Sequence, residues 1–294
     1  MIVKFTGIIP ALVTPLKEDE SINIPVLEQL MEALLARGAD GFYVAGATGE
    51  GLALRPEERR VLAEESIRIA DGRKPCIIQV ASTDFSQAVA LAKHAEAIGA
   101  DAISATPPLF FGYGENDVYN YYKKLAEAVH IPLMIYYNPA AGFAINANFA
   151  ARMFEVDNIT AIKWTHPDYS QIVRLKDMTH GDMNVINGPD ATLLLGLCAG
   201  ADGGIGTTYN YLMRYYRGIY DCYIRGDISG AQKYQKQVGR ILAARPALPG
   251  IPLTKAVLEK MGFAVGNATF PMRQLTPEEK GTAMNRMLEA GLEL

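Results

Sequence analysis

Eight short apolar runs, each followed by a longer amphipathic segment, constrain this chain more than any single motif. The runs are GIIPALVT (7–14), DGFYVAG (40–46), CIIQVA (76–81), AISAT (102–106), LMIYY (133–137), ITAIKW (159–164), NVING (184–188) and GGIGT (203–207). Between them lie segments with helical spacing, such as PVLEQLMEALLARG and FSQAVALAKHAEAIG, several ending in the glycine that stops a helix. The runs are near-continuously apolar rather than alternating, as parallel strands read when both faces are covered. Eight strand–helix units in succession predict an α/β fold, a TIM (β/α)8 barrel. The rival is an open doubly wound sheet. The first run is not followed by G-x-G-x-x-G, and the strand count stops at eight, so the barrel is preferred. Helical patterns continue after the last strand. The reading divides the chain into a barrel over 1–225 and a C-terminal helical extension, packed on the barrel, over 226–294.

Bulk properties exclude several function classes. With 49% apolar and 20% charged residues, the 294-residue chain can bury a sizeable core. Its net charge of -4 and the lack of any Lys/Arg cluster argue against a nucleic-acid partner. No run approaches the roughly 18 apolar residues of a membrane span. The start, MIVKFTGIIPALVTPL, reads as a first strand rather than a cleaved leader. Cys76, Cys198 and Cys222 are far apart and odd in number, which predicts reduced thiols in a cytoplasmic protein. His94, His130, His166 and His180 show no ligand spacing, so no metal site is expected. His94 and His130 read as helix residues, and His166 as a residue near the barrel mouth with no assigned role.

A barrel carries its site at the C-terminal strand ends. Lys163 ends the sixth strand, with Ile159 and Ala161 on its face by period-two alternation. It is either a rim lysine reaching water or, in apolar surroundings, an amine able to attack a ketone. Tyr136 and Tyr137 end the fifth strand, and only one of two neighbours can point into the mouth. Such a phenol can shuttle a proton, or simply pack. GATGEG (46–51) has the glycines and the Thr48 hydroxyl to gather N–H groups around an anion. Asp190 and Thr207 end the last two strands, and Asp190 reads equally as the N-cap of ATLLLGL.

In combination, GATGEG, YYNPAAG, AIKW and AGADGGIGTTYN resemble the family of dihydrodipicolinate synthase and N-acetylneuraminate lyase, class I pyruvate aldolases on a TIM barrel. The resemblance runs from TGIIPALVTPL to the C-terminal helices and leans toward the lyase branch. It implies that Lys163 forms a Schiff base, with no other cofactor. The family's catalytic tyrosine lies four positions after one proline and three before the next. Counting from Pro132 and Pro139 indexes Tyr136, with Tyr137 the runner-up because it directly precedes Asn138. The loop Gly46-Ala47-Thr48-Gly49-Glu50 corresponds to the family's carboxylate loop. Ala47, Thr48, Thr165, Gly188, Asp190 and Thr207 are the implied substrate-binding residues.

Departures from the family pattern bear on the substrate. Ala141 stands where the synthases carry an arginine, which disfavours a synthase-like condensation. Ala191 follows Asp190 where the lyases carry glutamate, halving the sugar-tail contact. Ala47 and Phe110 replace hydroxyl-bearing residues of a proton relay. The resemblance therefore implies a lyase cleaving a 2-oxo-3-deoxy sugar acid to pyruvate and an aldehyde, with N-acetylneuraminate one candidate. A Schiff-base hydro-lyase and a non-catalytic sugar-acid-binding barrel are the alternatives. It also implies a homotetramer, for which the Leu109-Phe110-Phe111 run suits a subunit contact or, equally, a self-packed loop.

Overall fold

The computed structural model describes residues 4–294. Its strands are β1 Gly7–Pro10, β2 Phe42–Val44, β3 Cys76–Gln79, β4 Ala102–Ala105, β5 Leu133–Tyr137, β6 Ile159–Trp164, β7 Asn184–Asn187 and β8 Gly203–Gly206. The helices between and after them are α1 Ile24–Ala36, α2 Pro56–Ala70, α3 Phe85–Ala97, α4 Glu115–Ala126, α5 Ala147–Phe154, α6 Ser170–Met178, α7 Leu193–Cys198 and α8 Tyr209–Ile224. Three more complete the chain: α9 Ile228–Ala244, α10 Gly250–Lys260 and α11 Pro277–Glu289. The strands are all parallel and ordered β1-β8-β7-β6-β5-β4-β3-β2. A parallel bridge between Ala11 and Tyr43, with the Leu12 N–H donating to the Tyr43 carbonyl at 2.9 Å, joins β1 to β2 and closes the ring. The fold is a TIM barrel with C-terminal helices, not an open sheet.

Alternation along the strands builds two separate cores. Ile9, Tyr43, Ile77, Ala102, Met134, Tyr136, Ala161, Ile186 and Ile205 fill the barrel interior. Their neighbours Ile8, Val44, Ile78, Ile103, Ile135, Tyr137, Ile162 and Val185 point outward and pack against the helices. Both faces are therefore apolar, which is why the strands read as unbroken runs. Phe5 enters the interior core from the N-terminal side, its N–H and carbonyl both bonded to the Asn184 side chain at 2.9 Å. Residues 1–3, part of the segment read as a first strand, lie outside the described residues.

The structure corrects three local expectations. Most strands are shorter than their apolar runs. Leu12 and Val13 stay buried beyond β1, but Val13 N–H bonds the Asn210 side chain and Thr14 Oγ1 donates to the Gly49 carbonyl at 2.7 Å. Burial outlasts strand pairing there because the run goes on to form the barrel rim. Ile159 does not share the Lys163 face. The pairing slips between Leu133/Ile159 and Met134/Ala161, leaving Thr160 as the extra residue of a bulge, so Ile159 joins the outer core. His130 is not helical: α4 ends at Ala126, four residues earlier, and Pro132 disfavours helix at Ile131, so the helix does not run on toward β5.

Candidate active site

The interior core ends, at the C-terminal side of the barrel, in a lysine between two phenol rings. Lys163 alternates with Ala161, and β5–β6 pairing sets it directly beside Tyr136. Its Nζ lies 4.1 Å from the Tyr136 ring centroid and 4.6 Å from that of Tyr43. The two rings meet edge-on at 5.8 Å. Lys163 is only 5% exposed, and no carboxylate among the described residues forms an ion pair with it. Gly46 makes room for this arrangement, since a Cβ there would fall 2.5 Å from the Tyr43 ring.

The two phenols differ in what they can do. Ser104 Oγ donates to the Met134 carbonyl at 2.9 Å, so the Tyr43 hydroxyl is the donor in its 2.9 Å bond to Ser104. Full burial, and then the neighbouring Tyr136, push the Tyr43 phenol well above its ordinary range. Tyr43 is a fixed wall. The Tyr136 hydroxyl instead accepts from the Asn138 amide nitrogen at 3.4 Å. Tyr137 lies on the opposite face, its ring 4.9 Å from Trp164 and stacked on His166 at 5.8 Å. The His166 Nδ1 accepts the Asp168 N–H at 3.1 Å. Tyr136 thus belongs to the Lys163 cluster, while Tyr137 and His166 belong to the outer layer.

GATGEG folds as a chain of turns, not as a helix N-terminus, because α2 begins only at Pro56. Ala47 is exposed, and Thr48 is buried with its hydroxyl 2.6 Å from that of Thr207. Those two hydroxyls bring the ends of β2 and β8 together. Glu50 anchors the turn from behind: one carboxylate oxygen pairs with Lys255 Nζ at 2.7 Å and the other accepts the Thr269 N–H at 2.6 Å. Lys255 escaped sequence reasoning, and only its position amid buried Leu253, Ala256, Val257 and Leu258 on α10 hinted at an internal charge.

On the opposite side of the mouth the residues divide. Thr165 and Gly188 meet closely, since a Cβ on Gly188 would lie 2.1 Å from Thr165 Oγ1. Among the described residues that buried hydroxyl has no hydrogen-bond partner. Asp190 is not the cap of the helix that follows it; the N-cap of α7 is Thr192. Its carboxylate accepts both the N–H and the hydroxyl of Thr208 at 2.7 Å and so caps α8 across the sheet. Burial raises the Asp190 carboxyl, and the Thr208 hydrogen bonds work against that shift. Among the described residues no three His, Cys, Asp or Glu side chains gather as a metal centre would need, and no helix is long and apolar enough to cross a membrane.

Fold and site together define a lysine-bearing (β/α)8 barrel, the architecture of amine-dependent aldolases. The dihydrodipicolinate synthetase family model matches residues 4–290. The chain belongs to that family. It is similar to the N-acetylneuraminate lyase of Rhizobium meliloti (strain 1021), at 32% identity over 92% of this chain and 91% of that protein. It is also similar to 4-hydroxy-tetrahydrodipicolinate synthase 2 of Halalkalibacterium halodurans, at 28% identity over 94% of this chain and 95% of the other. Among solved structures, YagE, a prophage protein of the same family from E. coli K12 in complex with pyruvate, superposes with a TM-score of 0.93 at 25% identity, covering 99% of this chain and 100% of YagE. The protein is an enzyme, a carbon–carbon lyase of the class I aldolase kind.

Proposed function

We propose that the protein cleaves a 2-oxo-3-deoxy sugar acid to pyruvate and an aldehyde through a Schiff base on Lys163. The observation that carries this reading is the buried Lys163 amine, without an ion pair among the described residues and set between the Tyr43 and Tyr136 rings. Lys163 Nζ attacks the C2 ketone, water leaves, and the iminium becomes the electron sink. The C3–C4 bond then breaks, its electron pair passing into the iminium to give an enamine. Tyr136 takes the C4 hydroxyl proton and the aldehyde departs. Protonation of the enamine at C3 and hydrolysis release pyruvate and restore Lys163. Thr48, with the N–H groups of 47 and 48, holds the substrate carboxylate, and Thr207 orients the Thr48 hydroxyl. The lysine is the only covalent catalyst this scheme needs.

Several residues bear on the aldehyde portion. Thr165 presents an unpartnered hydroxyl beside Gly188, suited to a substrate hydroxyl. Asp190 already serves Thr208 with one oxygen, and Ala191 adds no polar group, which supports a tail with fewer polar anchors than a sialic acid lyase provides. N-acetylneuraminate remains one candidate, supported by the named relative. The absence of hydroxyls at Ala47 and Phe110 favours, as a second reading, loss of water from the same iminium. Phe110 and Phe111 are 92% and 68% exposed, which supports their burial against other copies in a homotetramer. Three free cysteines support a cytoplasmic setting.

Pyruvate with borohydride, followed by peptide mass mapping, tests the reading. The expected adduct lies on Lys163. Labelling of a different lysine, or of none in folded protein, overturns it. A panel of 2-oxo-3-deoxy sugar acids assayed for pyruvate, aldehyde and dehydrated product then identifies the substrate and separates lyase from hydro-lyase.

A further inference from the structure

The amide of Asn138 has only one orientation open to it. Its Oδ1 accepts the Ala140 N–H at 3.0 Å, closing a turn that caps the short 3-10 segment Pro139–Ala141. Amide oxygen and nitrogen are often interchangeable in a structure, but here a flip would set an NH2 group against that N–H. The nitrogen therefore faces the other way, to the Tyr136 hydroxyl at 3.4 Å. An NH2 group can only donate. The Tyr136 oxygen must accept, and its own hydrogen is left to point elsewhere.

We infer that Asn138 is a positioning residue for catalysis: its amide holds the Tyr136 phenol with its hydrogen free for the substrate and donates to the phenolate when that proton leaves. The inference rests on the role proposed for Tyr136. In cleavage the Tyr136 oxygen receives the C4 hydroxyl proton, so it enters that step as the anion, having passed its own proton to the substrate carboxylate or to water. At that moment no protein hydroxyl is available from position 47 or 110, where Ala and Phe stand. The Asn138 amide is the donor that the structure supplies. Its 3.4 Å bond is long for a neutral phenol and shortens as negative charge collects on the oxygen. Asn138 sits two residues beyond Tyr136, so the strand twist and the turn at Pro139 return its side chain to the same phenol while Tyr137 faces outward.

The test is Asn138→Asp, assayed with the 2-oxo-3-deoxy sugar acid that releases pyruvate fastest in the panel above. A carboxylate keeps the acceptor for Ala140 N–H, and so the turn, but replaces the donor at Tyr136 with an acceptor. We expect kcat to fall about tenfold or more, less than the roughly 10²–10³-fold loss on removing a well-aligned oxyanion donor, because this contact is 3.4 Å long. KM and borohydride labelling of Lys163 by pyruvate should stay within about twofold, as a purely structural role would not predict. Asn138→Ser, which also keeps a short acceptor and removes the amide, should lose kcat in the same way and serves if the aspartate variant folds poorly. In a Tyr136→Phe background, Asn138→Asp should change the residual rate no further. Full kcat in the folded Asn138 variants beside a crippled Tyr136→Phe enzyme overturns the inference alone. An equal loss in both backgrounds also overturns it. Retained cleavage in Tyr136→Phe, or no substrate in the panel, removes the proposed role of Tyr136 and the inference with it.

Discussion

Glu50 and Lys255 form a fully buried ion pair, 2.7 Å across, that ties the turn after β2 to α10. Their side chains are 0% and 2% exposed. Lys255 also donates to the Asn267 carbonyl at 2.7 Å, and Glu50 takes up a left-handed backbone, with φ 59°. Burial lowers the Lys255 amine, and Glu50 counteracts the shift by favouring its charged form. The segment that presents Ala47 and Thr48 is thus held from the far end of the chain.

Removing one member of this pair strands the other charge in the interior. Lys255→Met should lose about 3–5 kcal/mol of stability in urea unfolding. Adding Glu50→Gln, which keeps an acceptor for the Thr269 N–H, should recover part of that loss. A single variant as stable as wild type would show that solvent reaches Glu50.

Thr48→Val removes the hydroxyl that meets Thr207 while keeping the shape of the side chain. Pyruvate affinity, followed by iminium trapping across a concentration series, should weaken on the order of ten- to a hundredfold, the range of a hydrogen bond to a charged group. Thermal unfolding should change little. Unaltered affinity would move the carboxylate away from this turn.

Tyr136 and Tyr137 make a matched pair of experiments, because one faces Lys163 and the other Trp164. Tyr136→Phe should keep the iminium and lose cleavage by roughly a hundredfold or more. Tyr137→Phe keeps its ring on Trp164 and should leave kcat nearly unchanged. The opposite ranking would assign the proton to the outer phenol.

Cys76 offers a pH signature. Burial, with Asp101 adding to it, pushes its thiol up to about 12 from an ordinary 9.0. Above pH 9 the unfolded chain loses this proton while the folded protein keeps it. The folded state then binds more protons, so this group makes stability fall as pH rises from about 9 toward about 12. Cys76→Ala should flatten that part of the stability–pH curve, whatever its effect at neutral pH. Parallel curves for the two proteins would contradict the assignment.

What the chain reveals by itself is what local pattern encodes. Eight apolar runs separated by helical segments specify the barrel, because strand and helix periods are written in neighbouring residues. The limits of β5 and β6 were legible, as was the position of Lys163 at a strand end, because those strands run apolar to their last turn. The proline count that indexed Tyr136 agrees with the face it occupies, although two adjacent tyrosines carry no local mark of inside and outside. Tertiary structure alone decided the rest. The bulge at Thr160 that turns Ile159 outward depends on pairing with β5. Asp190 caps α8 rather than its own helix because Thr208 N–H and hydroxyl come within 2.7 Å only when β7 and β8 lie side by side. The Glu50–Lys255 pair and the Thr48–Thr207 contact join residues that no sequence window contains. Secondary structure follows from short-range preferences, whereas each of these polar contacts exists only once closure of the barrel brings remote segments together and removes the competing water.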